Sequence, residues 1–402
     1  MSFMILNRKI LFLCLNIVMT QSILARACQS GKTWLLIKRT LDLLEHNDKC
    51  IHIILTDNSL FQLEQMHLRI QTQTRHIPIV LNSNSDMTVT EITGSICNNT
   101  TKYILLCSNQ TQIRKINSVL KRILDKCKRQ KAYIWIDEAD KINASGNLKI
   151  IDAWQDYKNI AEICYITATP HSLIIRYDKM NVMEVENAYN KRTYNKWSDN
   201  RVRLLPEATT PKHFIEEAFK KSPPKEGQIW FIAPGNLTDT HGGITRYLND
   251  RGFYVLTINA LGEILTTPNK KNIKMEEKGE LANRIRIFYY TQGLQHTKFA
   301  LVGYNRLGRG ITIQSDGAFI SHAVFPTLSK NKASIYQLAG RLCGNYKQYK
   351  TFKPPTVYCT EYFDRIAYES EDIVIHISTL PHVDNKIYDE LEKKAVKKFN
   401  RR

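Results

Sequence analysis

The sequence predicts an α/β protein built as two domains with mainly parallel sheets. Three observations carry that reading. Apolar runs of strand length alternate with stretches of helical period, which is the grain of strands joined by crossover helices. The alternation breaks at a polar segment without clear periodicity and then restarts. At 402 residues the chain is also longer than one compact core usually fills. With 43% hydrophobic and 24% charged residues, it is an ordinary globular chain and neither a disordered tail nor a collagen-like repeat.

In the first half, residues 22–27 read as a strand and 32–46 as a helix. Strand 50–55, helix 59–70 and strand 103–107 follow, the last a continuous apolar run of the kind that parallel sheets bury on both faces. Residues 111–127 form an amphipathic helix, then 132–136 and 162–167 are strands. The stretch 175–207, rich in Asn, Tyr and Lys, reads as the connection. The pattern resumes with strand 228–233, helix 240–250 and strand 254–259. A polar segment, 266–278, carries Lys270, Lys271, Lys274 and Lys278. Helix 280–290, strand 299–303 and helix 332–343 complete the second half. Residues 386–402 form a helical tail with seven basic against three acidic residues. The expected divisions are a first domain at 1–180, a connection at 181–207, a second domain at 208–370 and a basic extension at 371–402.

Lys plus Arg number 57 against 38 Asp plus Glu, a formal +19, which implies a polyanionic partner, either nucleic acid or an anionic membrane surface. The nine cysteines include no Cys-x-x-Cys pair. That argues against a zinc ribbon or a disulfide scaffold and fits a reducing compartment, with the thiols as small buried hydrophobes. The Asn-x-Thr triplets at Asn98, Asn99 and Asn109 then read as chance. Near the amino terminus, Arg8 and Lys9 precede an apolar run over 10–19, and Ala25-Arg26-Ala27 imitates a cleavage site. The run is short for a bilayer and Asn16 interrupts it. Cleavage after Ala27 would also cut into the best phosphate-binding loop of the chain. The expectation is an intracellular protein that is not secreted and has no membrane partner.

That loop is Cys28-Gln29-Ser30-Gly31-Lys32-Thr33, between a strand and a helix. Backbone N–H groups of such a loop wrap phosphate oxygens, Lys32 reaches the β- and γ-phosphates, and Thr33 offers its hydroxyl to Mg²⁺. Arg26 stands where a first glycine is usual, and Gln29 replaces another. Gly-Lys-Thr alone also suits a plain helix start. The second element is Tyr133-Ile134-Trp135-Ile136, an apolar strand running into Asp137-Glu138-Ala139-Asp140. Carboxylates at the carboxyl end of a parallel strand stand where open α/β sheets bind ligands. Asp137 can hold the Mg²⁺ through water, and Glu138 can polarise an attacking water. Further on, a strand ends in Thr167-Ala168-Thr169-Pro170. The hydroxyls of Thr167 and Thr169 can bond the Asp137–Glu138 pair and sense the γ-phosphate; a simple strand-end turn is the alternative.

Gly-Lys-Thr, Asp-Glu-Ala-Asp and Thr-Ala-Thr-Pro in this order resemble motifs I, II and III of the superfamily 2 helicases and translocases. Asn305-Arg306-Leu307-Gly308-Arg309-Gly310-Ile311-Thr312 looks like motif V, and Gln337-Leu338-Ala339-Gly340-Arg341 like motif VI. The resemblance spans roughly residues 20 to 370 and implies tandem RecA-like domains with ATP in the cleft between them. It implies a catalytic set of Lys32, Asp137, Glu138, Gln337, Arg341 and Arg309. Gly308 and Gly310 join Cys28, Gln29, Ser30, Gly31, Lys32 and Thr33 around the nucleotide, and Thr33 and Asp137 hold the metal. Gly344 stands where motif VI normally has a second arginine, which leaves Arg341 as the main arginine finger. Other signatures of the DEAD-box RNA helicases are absent, including the upstream adenine-reading glutamine. The combination looks more like helicase-like ATPases of phages and large DNA viruses, and like the ATPase part of some endonuclease-linked proteins.

The resemblance places nucleic acid across loops at the strand ends, at Thr56, Asn58, Ser108 and Asn109 in the first domain. Pro234 and Gly235 are the candidates in the second. Solvated turns are the alternative for each loop. The lysine segment and the tail would add salt-sensitive affinity. His171 and His241 read as loop or helix-cap residues, since Glu138 fills the position of base. The expected function is ATP-dependent movement on, or unwinding of, single- or double-stranded DNA or RNA, alongside accessory replication, repair or transcription proteins. Two alternatives stay open: a degenerate ATP-dependent clamp with little turnover, or the motor subunit of a packaging or restriction nuclease complex.

Overall fold

The structure, a computed structural model, describes residues 20–127, 129–142, 147–183, 192–235, 238–259, 261–276, 279–303, 312–326 and 331–402. In chain order the first part runs β1 (Thr20–Ala25), α1 (Lys32–His46), β2 (Cys50–Thr56), α2 (Leu60–Thr74), β3 (Ile79–Leu81), α3 (Val89–Cys97) and β4 (Tyr103–Cys107). It continues through α4 (Gln110–Lys126), β5 (Lys131–Asp137), α5 (Ala139–Ile142), α6 (Leu148–Ala153), β6 (Ile160–Thr167), α7 (His171–Tyr177) and β7 (Lys179–Val182). The second part begins with β8 (Arg201–Leu204), α8 (Pro211–Lys221), β9 (Ile229–Ile232), α9 (Thr238–Asn249), β10 (Phe253–Asn259), β11 (Gly262–Thr266) and β12 (Asn272–Lys274). Then come α10 (Leu281–Thr291), β13 (Lys298–Gly303), β14 (His322–Phe325), α11 (Lys332–Ala339), β15 (Thr356–Cys359), α12 (Glu361–Ile377), β16 (His382–Asp384) and α13 (Asn385–Phe399).

These elements make two eight-stranded sheets, ordered β16-β7-β1-β6-β5-β2-β4-β3 and β12-β11-β10-β13-β9-β14-β15-β8. Pairing is parallel except for β16 on β7 and the β10-β11-β12 meander. Strands β2 and β4 are buried along their whole length, as continuous apolar runs covered by helices on both faces require. On one face of the first sheet Ile53, Leu55, Ile104 and Ile134 pack with Ile113, Ile116 and Leu120 of α4. On the other, Ile54, Leu105 and Trp135 pack with Leu36 of α1 and with Met66 and Ile70 of α2. The α/β architecture with two mainly parallel sheets is therefore as the sequence predicts.

Two features differ from the sequence reading. The stretch read as an aperiodic connection carries β7, which joins the first sheet, and β8, which joins the second; between them Tyr194 and Trp197 are fully buried. The segment is polar on average, yet Tyr194 and Trp197 anchor it. The cysteines, read as thiols throughout, include a disulfide between Cys97 at the end of α3 and Cys127 at the cap of α4. The helices run side by side, so residues 30 apart in sequence meet with their Cα atoms 5.8 Å apart. Six further cysteines are buried thiols.

The carboxyl-terminal elements tie the two lobes together. Helix α12 gives Phe363, Ile366 and Ala367 to the core of the second sheet and Ile373 and Ile377 to the core of the first. Strand β16 then adds to the edge of the first sheet, and α13 packs Leu391 and Ala395 there. The tail is helical as its sequence predicts. Among the described residues no helix is long and apolar enough to cross a membrane.

Candidate nucleotide site

The phosphate loop leaves β1 and enters α1, as its sequence context requires. Gly31, the N-cap, has φ +87° and Gln29 has φ +55°, the left-handed turns that let successive backbone N–H groups converge on one point. At residue 29 a β-carbon pays the usual cost of that conformation, and the hydroxyl of Tyr346, 2.5 Å from Gln29 Oε1, fixes the side chain. Ser30 Oγ donates to the carbonyl of Ala27 at 2.7 Å. The Lys32 ammonium lies 3.5 Å from the same carbonyl, folded onto its own loop.

Opposite, β5 ends at Asp137, and Glu138 follows with φ +51°, buried. A bulky residue in that conformation persists only where its surroundings enforce it, and such residues gather at working sites. The Glu138 N–H donates to Asp137 Oδ1 at 3.1 Å. Burial first, then the adjacent Glu138 carboxylate, push the Asp137 carboxyl up to about 7, while Lys32 pulls the other way. Lys32, Thr33, Asp137, Glu138, Gln337 and Arg341 line one cavity of about 250 Å³, together with Cys28, Gln29 and Gly31 of the loop.

The second lobe meets this loop directly. Gln337 Nε2 donates to Glu138 Oε2 at 3.2 Å, across 199 residues of sequence, and Arg341 is buried beside it with its carbonyl held by Gln314 Nε2 at 2.8 Å. The Cys28 N–H donates to the Tyr336 hydroxyl at 3.3 Å, and the Tyr194 hydroxyl donates to the Cys28 carbonyl at 2.7 Å. Nothing in the sequence singled out Tyr194, Tyr336 or Tyr346; the first two are fully buried aromatic residues whose hydroxyls need partners, a general signal that names no partner. Gly340 is forced by the same approach. A Cβ built on it would overlap Cys28 Cβ and lie 2.6 Å from Cys28 Sγ.

Thr167 Oγ1 bonds Asp140 Oδ1 at 3.0 Å and accepts the Thr169 N–H at 2.9 Å, so its carboxylate partner is Asp140 rather than the Asp137–Glu138 pair expected from sequence. Asp140 lies a helical turn on from Asp137, which carries its carboxylate towards β6. Arg309, Gly308 and Gly310 lie outside the described residues; Thr312, the end of that motif, lines the cavity.

Asn58, Ser108, Asn109 and Thr169 border a second cavity of about 940 Å³, closed on its far side by α12 and α13. Asn109 caps α4 through the N–H of Gln112 at 3.1 Å. Thr56 is buried, its hydroxyl 3.4 Å from the Leu106 carbonyl, and borders the nucleotide cavity instead. Pro234 and Gly235 are buried and border neither cavity; His241 Nε2 is 2.7 Å from the Gly235 carbonyl, the plain structural role read from sequence. His171 begins α7 and stacks on Tyr388.

Glu371 of α12 accepts the Trp197 N–H at 2.8 Å beside Cys343, with Lys196 and Asp199 near, and burial pushes its carboxyl up to about 7. A raised folded-state value means that its stabilising contribution is full below the ordinary carboxylate range and is lost as pH rises through about 7. Glu371→Gln is therefore expected to raise the melting temperature at about pH 8 and to flatten its decline from about pH 5. Melting curves across that range test this; a slope like the parent's would reject it.

No protein-family model matches the sequence, and no curated protein does. Solved structures are similar in fold. Saccharomyces cerevisiae Dbp5 bound to RNA and ADP BeF3 is 14% identical with a TM-score of 0.50, over 95% of this chain and 89% of that one. The Escherichia coli DEAH/RHA helicase HrpB is also 14% identical with a TM-score of 0.50, over 85% of this chain and 40% of its own length. The chain thus shares the tandem RecA-like fold of these two proteins.

Proposed function

We propose that the protein is an ATP-driven helicase or translocase, with the nucleotide-binding domain at 1–180 and its partner at 208–370. The observation that carries this is the bond from Gln337 to Glu138, with Arg341 and Lys32 on the same cavity, so that residues of both lobes converge on one small space. Lys32 would bind the β- and γ-phosphates, and Glu138 would orient a water and take its proton. The water oxygen bonds the γ-phosphorus, the bond to the bridging oxygen breaks, and its electron pair leaves with ADP. Arg341 would offset charge on the phosphoryl oxygens. Arg309 is proposed as a helper.

Thr33 and Asp137 are hard oxygen donors on the same cavity, and among the described residues there is no cluster of three or more His, Cys, Asp or Glu to cage a metal. That donor set fits Mg²⁺, which keeps waters and phosphate oxygens as its other ligands. When bound it would neutralise phosphate charge. Thr167 and Thr169 would couple the site to nucleic acid on Asn58, Ser108 and Asn109. The +19 charge supports a polyanionic partner, and Dbp5 is bound to RNA.

ATPase activity with single- and double-stranded DNA and RNA tests the reading. Stimulation by nucleic acid is expected, with Lys32→Ala lowering turnover at least about 100-fold. No stimulation, together with an inert Lys32→Ala, would refute it. Gly344 in the place of a second arginine favours one other reading, a clamp that binds nucleic acid with ATP and barely hydrolyses. Tight ATP-dependent binding without turnover would select it.

A further inference from the structure

A guanidinium outside every sequence motif stands at the nucleotide cavity. Helix α2 turns Leu63 and Ile70 into the core, and the face bearing Gln62, Met66, Arg69 and Gln73 borders the same cavity as Lys32, Asp137 and Arg341. Those positions fall at helical spacing along one side. Arg69 Nε donates to Glu280 Oε1 at 2.7 Å, and Glu280 is the N-cap of α10 in the second lobe. A guanidinium has five donors, so this bond leaves the terminal nitrogens able to engage a second partner.

Position 344, by contrast, is unfavourable for a side chain. Gly344 has φ +143°, a Cβ there would lie 3.0 Å from the Tyr346 ring, and its backbone bridges to Asn195. We propose that Arg69 is a further guanidinium of the nucleotide site, supplied by the first lobe opposite Arg341 of the second, and that Glu280 holds it at the cavity wall. The proposal rests on the ATPase reading. Arg69 would stabilise charge on the phosphoryl oxygens as the bond to the bridging oxygen breaks, with no change to the proton route through Glu138.

The test compares Arg69→Ala, Arg69→Lys and Glu280→Ala in the full chain by steady-state ATPase and by binding of ADP and ADP–aluminium fluoride. Arg69→Ala is expected to lower kcat at least about 100-fold with KM within about 3-fold, and to weaken ADP–aluminium fluoride but not ADP. Arg69→Lys should recover part of kcat, and Glu280→Ala, which frees the guanidinium without removing it, should lower kcat by clearly less than Arg69→Ala does. Equal losses in Arg69→Ala and Glu280→Ala would overturn the proposal, because the pair would then only close the cleft. So would an Arg69→Ala protein with full turnover. A wild-type protein that neither hydrolyses ATP nor depends on Lys32 to bind it would instead overturn the ATPase reading beneath.

Discussion

Gly340→Ala is expected to reduce ATP turnover by roughly 100-fold while both lobes stay folded. The added Cβ would overlap Cys28, which sits in the phosphate loop itself, so relief comes only by moving the loop or withdrawing Arg341. Displacements of about 1 Å in a catalytic constellation carry penalties of that order. Overpacking alone would cost about 1–3 kcal/mol of stability, to be read by melting. The diagnostic variant is Gly340→Ala combined with Cys28→Gly, which removes the clashing atoms and should restore much of the activity. Turnover unchanged in Gly340→Ala would mean that the working form never brings these two residues together.

Glu138→Gln is expected to lower kcat by about 100- to 10,000-fold, the range for loss of a positioned base, with nucleotide affinity retained. Its amide oxygen can still accept from Gln337, so the bridge between the lobes survives and the loss isolates proton transfer. The variant should accumulate with ATP bound. Single-turnover kinetics and nucleotide binding check this; a loss of less than about 10-fold would place activation of the water elsewhere.

What the sequence made legible was whatever is local or strongly apolar. Strand β4 was placed without error and α1 in full, because a buried run and a Gly-Lys-Thr helix start are complete signals within a few residues. Helix α3 was missed despite its capping box from Thr88 to Glu91, since Gly94 and short length masked its period. Strand β16 owes its pairing to an edge just over two hundred residues earlier, which no local pattern encodes. The loop, both carboxylates, Gln337 and Arg341, singled out by motif chemistry and resemblance, meet on one cavity. Tyr194, Tyr336 and Arg69 were not singled out, because Tyr336 and Arg69 depend on which helix face turns towards the cleft and Tyr194 on where a non-helical segment packs.

The return of the chain through α12 and β16 has a thermal consequence. The two halves are joined by one crossing that ends at β8 and a second that ends at β16, so each half carries a strand of chain anchored by the other crossing. Helix α12 puts side chains into both cores, so neither core is complete without it. Heat is therefore expected to melt both halves in a single cooperative transition.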